Sequence, residues 1–452
     1  MYSILVAIYL LSVVLILKNK GEKRLMFFTL GLFMVPGNIN LINNSMFMGY
    51  MLYATAFIAS MAIHGEFKIK NMANCPVWTP LIILLASCIL IGLFDERLGP
   101  STGIWRGIQY FIGKILPFIF GWVSLGNKEK YTINDNYNTT KSAAYYNILP
   151  FTLIITLFGL MTAVTKTNPI LDAVGLEDRF LFEYDDSFRS FRVTGANISS
   201  SVYGLSCAIL FLCGMFLNKK KNNITYFALG MLFINIFLSA TRAAMIPFIV
   251  ALIYFMIKRK GIAKSLKYIS VTVICMFILS PILPAAVTDY STQLVESIAD
   301  VVLPSGTGGE KFVGSSVDAR EMQIAASMTY LEKKPLFGHG IGYSTDVLLK
   351  DGKHDDLLGM ESYLCFIGIE LGLVHGLALI IFFVACFIYF IKNKKYAPDF
   401  ADMGSTFVVM YVLFLIYAWV GTAWFFYMPA LGYLMKKVYL AKKKTLDGFE
   451  QN

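Results

Sequence analysis

ESYLCFIGIELGLVHGLALIIFFVACFIYF, residues 361–390, is the longest apolar run in the chain, and Lys392, Lys394 and Lys395 follow it at once. A bilayer core takes about 20 apolar residues per helical crossing. Lysine and arginine collect at the cytoplasmic end of such a crossing. This one segment therefore sets both the solvent and a direction. It carries two carboxylates, Glu361 and Glu370, and no lysine or arginine.

Composition extends that reading to the whole 452-residue chain, which is 57% hydrophobic and 15% charged, with a mean hydropathy of +0.62. Soluble domains are about 45–50% apolar and about 25% charged. An ordinary cytosolic enzyme, a disordered chain and a disulfide scaffold are excluded. Apolar runs recur at roughly 3–17, 25–37, 46–63, 77–94, 103–125, 146–164, 200–217, 224–239, 243–258, 268–285, 361–390, 404–420 and 423–437. The expectation is an all-α, polytopic membrane protein of about 13 transmembrane helices (range 11–14), forming one domain over 1–452. The first run has no basic residue before it and no small-residue cleavage site after it, so it reads as a retained helix rather than a signal peptide.

The connections alternate in charge. One set, from Lys18 through Arg24, Lys68, Lys128, Lys219, Arg259 and Lys392 to Lys444, holds 25 of the 39 lysines and arginines and eight of the 29 acids. The remainder holds 14 cations and 21 acids. The net charge of +10 thus reports orientation and not nucleic acid: the basic set is expected in the cytoplasm, the N-terminus outside and the C-terminus inside. Two outward connections are long, 165–199 and 286–360. In the second, a helix is expected at about 319–334, with Asp318 as its cap and Glu321 completing the pattern. Ile324, Met328 and Leu331 share one face of it, and Pro335 stops it. Long ordered connections tend to carry function.

Three outward arginines fall at helix starts: Arg192 before the helix near 200, Arg242 opening the helix near 243, and Arg320 in the first turn of the loop helix. A helix N-terminus already attracts anions, and a cation there is unfavourable by about 0.3–1 kcal/mol. Such a placement makes sense where a phosphate or pyrophosphate is the partner. Snorkelling, or pairing with Asp185, Asp186 or Asp318, is the simpler alternative. Arg106 is open to the same two readings. Lys114 and Glu370 are expected at matching depths, about 16 and about 14 Å into their helices, as a buried ion pair. Candidate bases are Glu361, His339, His354, Asp355 and Asp356. No metal-ligand spacing, nucleotide-binding motif or cysteine framework occurs among the seven cysteines, so no metal and no cofactor is expected.

Several of these stretches resemble the O-antigen polymerase and ligase superfamily. They are Arg192-Val-Thr-Gly195, Leu238-Ser-Ala-Thr-Arg-Ala-Ala244, Arg320 followed by Pro335-Leu-Phe-Gly-His-Gly-Ile-Gly342, and Glu361-Ser-Tyr-Leu with Gly368-Ile-Glu-Leu-Gly372. The resemblance spans roughly 190–380. It implies a multi-pass protein of the bacterial inner membrane with its active site facing the periplasm. The reaction it implies is transfer of a growing glycan from undecaprenyl pyrophosphate to a sugar hydroxyl of an incoming lipid-linked repeat unit. Glu361, Arg192, Arg242 and Arg320 become the candidate catalytic residues. Arg189, Arg106, Lys114, His339, Tyr343 and Glu370 become candidates for substrate binding. Implied partners are undecaprenyl-pyrophosphate-linked oligosaccharides, membrane lipid, a chain-length regulator and a flippase, with no nucleic acid. Ligases of the superfamily carry a histidine where this chain has Glu361, which favours a repeat-unit polymerase over a ligase acting on lipid A core. A flippase or secondary transporter is the alternative of another class. Transporters tend to show internal repeats, and none is evident here.

Overall fold

The computed structural model describes residues 2–35, 48–66, 72–125, 145, 147–174, 192–197, 199–217, 222–239, 241–265, 317–348, 357, 360, 362–418 and 423–449. The ordered elements among them are helical. In chain order they are α1 (Tyr2–Lys18), α2 (Gly21–Met34), α3 (Met48–Ile63), α4 (Trp78–Leu93), α5 (Pro100–Lys114), α6 (Pro117–Val123), α7 (Leu149–Thr165) and α8 (Pro169–Ala173). They continue with α9 (Ser200–Phe216), α10 (Asn223–Leu238), α11 (Arg242–Lys260), α12 (Val317–Lys333), α13 (Tyr363–Phe366), α14 (Gly372–Asn393), α15 (Pro398–Tyr417) and α16 (Ala423–Phe449).

By length and composition, two stretches among the described residues are long and apolar enough to cross a membrane, Tyr363–Asn393 and Pro398–Tyr417. Shorter apolar helices, α1, α4, α7, α9 and α10 among them, stand where the hydropathy pattern expects them. The expected segment 268–285 lies outside the described residues. Two expected single helices are broken. The run at 103–125 divides into α5 and α6 because Pro117 has no N–H to donate and its ring disfavours a continuous helix. Lys114 therefore ends α5, where a cation suits the carbonyl end of the helix. The run at 361–390 divides at Gly372, which has φ 67°.

Packing relies on small residues. At the α4–α5 crossing, a Cβ on Gly103 would stand 1.9 Å from the Gly92 carbonyl oxygen, and one on Gly107 would stand 2.2 Å from that of Cys88. Close backbone approach of this kind suits helices in lipid, where dispersion contacts replace the hydrophobic effect as the drive to associate. A core of Tyr411, Tyr427, Trp424, Phe383 and Phe407 fills the space among α14, α15 and α16.

Ion pairs sort by the charge sets read from the sequence. Arg24–Glu66 at 2.6 Å, Lys437–Glu22 at 2.9 Å, Lys394–Asp402 at 2.8 Å and Arg259–Asp402 at 3.3 Å join members of the basic set. Arg97–Asp95 at 2.8 Å, Arg106–Asp346 at 2.6 Å and Lys334–Glu96 at 2.5 Å join members of the other. Many basic-set cations are packed rather than simply solvated. Arg24 is fully buried under Phe57, its Cζ 4.4 Å from the ring centroid. Lys436 is buried over Trp122 at 4.4 Å.

Gly103→Ala is expected to lower the thermal midpoint in detergent, because overpacking against backbone costs about 1–3 kcal/mol. Gly113→Ala, whose added Cβ would meet only the tip of Met51 at 3.8 Å, is expected to leave it unchanged or slightly raised. Equal melting of the two variants would refute the close α4–α5 contact.

Candidate active site

The broken run at 361–393 organises the first cluster. Tyr363–Phe366 begins as α-helix, Ile367–Leu371 widens into a π-turn, and Gly372 turns the chain before α14 starts. Such a break leaves carbonyls on one side and N–H groups on the other without helical partners. The Pro335–Gly340 loop supplies them. His339 N donates to Ile369 O at 2.9 Å and Gly340 N to Glu370 O at 3.1 Å. Leu373 N donates to Pro335 O at 2.8 Å and Val374 N to Leu336 O at 3.1 Å. The approach leaves no room for side chains: a Cβ on Gly338 would lie 2.4 Å from the Glu370 carbonyl, and one on Gly372 would lie 2.4 Å from the Leu336 oxygen. Both glycines have positive φ, 63° and 67°.

Glu370, on the π-turn, is buried and takes up the next part of the loop. Its carboxylate accepts from Gly342 N at 2.9 Å, from Ser344 N at 3.0 Å and from the Ser344 hydroxyl. The expected Lys114–Glu370 pairing is kept as a charge interaction, but Glu370 does not stand on a regular helix as expected. Glu370 sits at a break and its oxygens hold loop donors. Lys114, at the end of α5, acts on it by charge and lies 6.0 Å from the Tyr110 ring centroid.

His339 rests between Tyr330 and Tyr343, with ring centroids 5.5 and 4.8 Å away. Its Nδ1 is 3.2 Å from Ile369 O. A carbonyl only accepts, so Nδ1 carries the hydrogen and Nε2 keeps its lone pair. Burial, and then the charges of Lys334, Lys333 and Arg97, hold the imidazole below its ordinary 6.5, although the Ile369 bond pulls the other way. A neutral imidazole with a free Nε2 is a chemically competent base.

Arg106 meets Asp346 and donates to Ile341 O at 3.1 Å. Arg97, which sequence reasoning missed, joins them. It donates to both oxygens of buried Asp95, at 3.0 and 2.8 Å, and to Ile341 O at 3.1 Å, and its guanidinium stacks 5.1 Å from the Tyr343 ring centroid. The available signal was the charged step Asp95-Glu-Arg97 directly after an apolar run. A second missed group is His375, fully buried behind the break. The Ser87 hydroxyl donates to Leu84 O at 2.7 Å, so His375 Nδ1 donates to Ser87 at 3.0 Å and Nε2 accepts from Tyr363 at 3.4 Å. The Tyr363 oxygen then accepts from Tyr110. This chain of bonds ties both halves of the broken run to α4 and α5.

The segments that carry Arg192 and Arg242 are tied to each other elsewhere. Val193 N donates to Leu238 O at 3.1 Å, which lays the 192–197 segment on the α10–α11 junction. Asn168 fastens the segment from the other side, donating to Thr194 Oγ1 at 2.8 Å and Gly195 O at 3.0 Å. Arg242 is the first residue of α11 and is 8% exposed. Arg320 lies in the first turn of α12, as expected, but that helix begins at Val317, so Asp318 stands inside it and not before it as a cap. The expected Ile324–Met328–Leu331 face is not the buried one either. Gln323, Ser327 and Tyr330 face inward, and Met328 is exposed, because α12 approaches the π-turn through Ser327 against Gly368. Glu361, Arg189, His354, Asp355 and Asp356 lie outside the described residues.

Residues 227–379 match the family model for O-antigen ligase. The resemblance to the O-antigen polymerase and ligase superfamily therefore holds over a stretch that includes the α10–α11 junction, α12, the glycine-rich loop and the broken run. No curated protein matches the chain.

Glu370→Gln is expected to cost about 1–3 kcal/mol, since one of the loop donors loses its acceptor, and to speed amide exchange at Gly342 and Ser344. Unchanged exchange there would contradict the role given to Glu370. For His339, the folded state favours the neutral ring more than the unfolded chain does. Its contribution to stability is complete above 6.5 and is lost as pH falls through 6.5 toward the lower folded value. His339→Gln should flatten the stability–pH curve in that range.

Proposed function

We propose, from the match of residues 227–379 to the O-antigen ligase family, that the chain is a glycan-transferring membrane enzyme, and specifically a polymerase of bacterial surface polysaccharide. The observation that carries the reading is the Val193–Leu238 bond at 3.1 Å. It puts two arginine-bearing segments from opposite ends of α9 and α10 at one helix start. In the proposed step, a hydroxyl of the incoming lipid-linked repeat unit attacks the anomeric carbon of the growing glycan. The new glycosidic C–O bond forms as the bond to undecaprenyl pyrophosphate breaks. The hydroxyl proton passes to a base, and the diphosphate leaves with the electron pair. Fixed cations aimed at charge that develops on a leaving group are among the largest contributions to catalysis. The step needs no metal if Arg192, Arg242 and Arg320 supply that charge, and Arg189 is a further candidate three residues before Arg192 in the sequence.

Glu361 is the proposed base. His339 is the second reading, because its neutral ring and free Nε2 suit the task and it lies against Tyr330 and Tyr343. Segregation of the ion pairs into two sets supports the topology proposed here: the basic set in the cytoplasm and the Arg97–Arg106–His339 cluster facing the periplasm. Undecaprenyl-pyrophosphate oligosaccharides, a chain-length regulator and a flippase are the corresponding proposed partners.

Reconstitution of the purified chain with undecaprenyl-pyrophosphate repeat units tests the reading. Longer lipid-linked glycans are expected. Transfer only to added lipid A core would select a ligase, and absence of any transfer would return the transporter class. Arg192→Ala, Arg242→Ala and Arg320→Ala should each reduce turnover at least about 100-fold, the loss seen when a transition-state donor is removed. Elongation retained in two of them would refute the arginine site. Glu361→Gln losing turnover with donor binding intact keeps Glu361 as base, whereas loss in His339→Gln alone transfers the role.

A further inference from the structure

The geometry points to a second anion-binding site, a fork formed by Arg97 and Arg106 that takes a phosphoryl anion and that Asp346 occupies when the anion is absent. The two arginines come from the α4–α5 connection and from α5, yet they converge on the same two acceptors. Each donates to Ile341 O at 3.1 Å. Each also faces Asp346 Oδ2, Arg106 Nη1 at 2.6 Å and Arg97 Nη1 at 3.8 Å. Two guanidinium groups around one carboxylate oxygen form the arrangement that binds phosphate, with Asp346 as the anion now present.

The three side chains are not held equally. Arg97 is clamped in a two-bond fork by Asp95, whose side chain is only 1% exposed. It stays aimed whatever Asp346 does. Asp346 is 46% exposed and stands on the π-turn Ser344–Leu348. Its backbone is fixed independently, by Asp346 N donating to Gly342 O at 2.8 Å. Rotation of one short side chain therefore opens the fork without moving the loop. With Asp346 turned away, the fork keeps two guanidinium charges against Asp95 and the Glu370 carboxylate that Arg97 acts on. Lys333 and Lys334, the latter paired with Glu96, lie close enough for their charge to reach neighbouring His339. An exposed ion pair is worth little, so a doubly charged phosphoryl group displaces it readily.

The ligand assignment deepens the polymerase reading and rests on it: the diphosphate of a lipid-linked glycan brings the right charge. The same chemistry also comes from bilayer phosphate, and the test separates the two. Calorimetry of the full chain in neutral detergent, titrated with inorganic pyrophosphate, should show about threefold tighter binding for Asp346→Asn than for the unsubstituted chain, the size that an exposed ion pair supports. Arg97→Gln should weaken binding and abolish the gain when combined with Asp346→Asn. Unchanged or weaker binding in Asp346→Asn, or a gain that persists without Arg97, overturns the proposal. In nanodiscs of neutral lipid, displacement of pyrophosphate by undecaprenyl diphosphate supports a lipid-linked diphosphate as ligand. Displacement by phosphatidylglycerol alone overturns that assignment in favour of bilayer phosphate. Because the readout is binding, a chain that fails to elongate glycans but behaves as stated here would sink the polymerase reading and leave the fork standing.

Discussion

A helix interrupted inside an apolar run must find partners for the backbone groups that the interruption exposes, because lipid offers none. The Pro335–Gly340 loop meets that requirement at Gly372, bonding both to the carbonyls that end the π-turn and to the N–H groups that open α14. The placement of the rest of the cluster follows. Once residues 335–340 are laid across the break, Gly342 and Ser344 fall on the Glu370 carboxylate, His339 falls between two tyrosines, and Asp346 faces Arg106. The glycine-rich composition of the loop is the steric condition for this, since its backbone lies against backbone at Gly338 and Gly372.

Behind the break, His375 does for side chains what the loop does for the main chain. Each hydroxyl in the Tyr110–Tyr363–His375–Ser87 sequence has one hydrogen, and each donates it in the same sense, ending on Leu84 O. A buried polar network is stable when every member is satisfied. This one connects α5, the segment before the break, α14 and α4, so both halves of the broken run are fastened to the same helices. Tyr110 stands on α5, which packs closely on α4 through glycines.

Much of this was legible in the sequence, and the misses have physical causes. Apolar runs located α1, α4, α7, α9, α10 and α11 because hydrophobic length is dictated by lipid, and the alternation of lysine and arginine sorted the ion pairs that the structure shows. Periodicity did not reveal the two breaks. Pro117 was visible but lay inside an apolar run, and Gly372 breaks the longer run only because a loop distant in sequence completes its hydrogen bonds. The inward face of α12 was not legible either. Ser327 is small enough to meet Gly368, and that contact turns Gln323 and Tyr330 inward beside it while Ile324 and Leu331 stay half-buried. Arg97 and His375 escaped because their significance is pairwise: neither belongs to a motif until Asp346, Tyr363 and Ser87 are brought beside it.

The two arginine groups share a design that bears on mechanism. Arg192 and Arg242 stand where Val193 bonds to Leu238, at the start of α11, and Arg97 and Arg106 stand where Ile341 accepts from both, beside the break at Gly372. In the second place Arg97 is fixed off the helices, in the α4–α5 connection, by its two bonds to Asp95. A regular face would let long side chains retreat toward headgroups and lose their aim. The two-bond clamp from buried Asp95 removes that freedom from Arg97 before any ligand arrives, so little ordering of it is left to oppose binding. A leaving diphosphate needs charge that is in place as the bond breaks. Interrupted helices, costly in lipid, are justified if they hold that charge still.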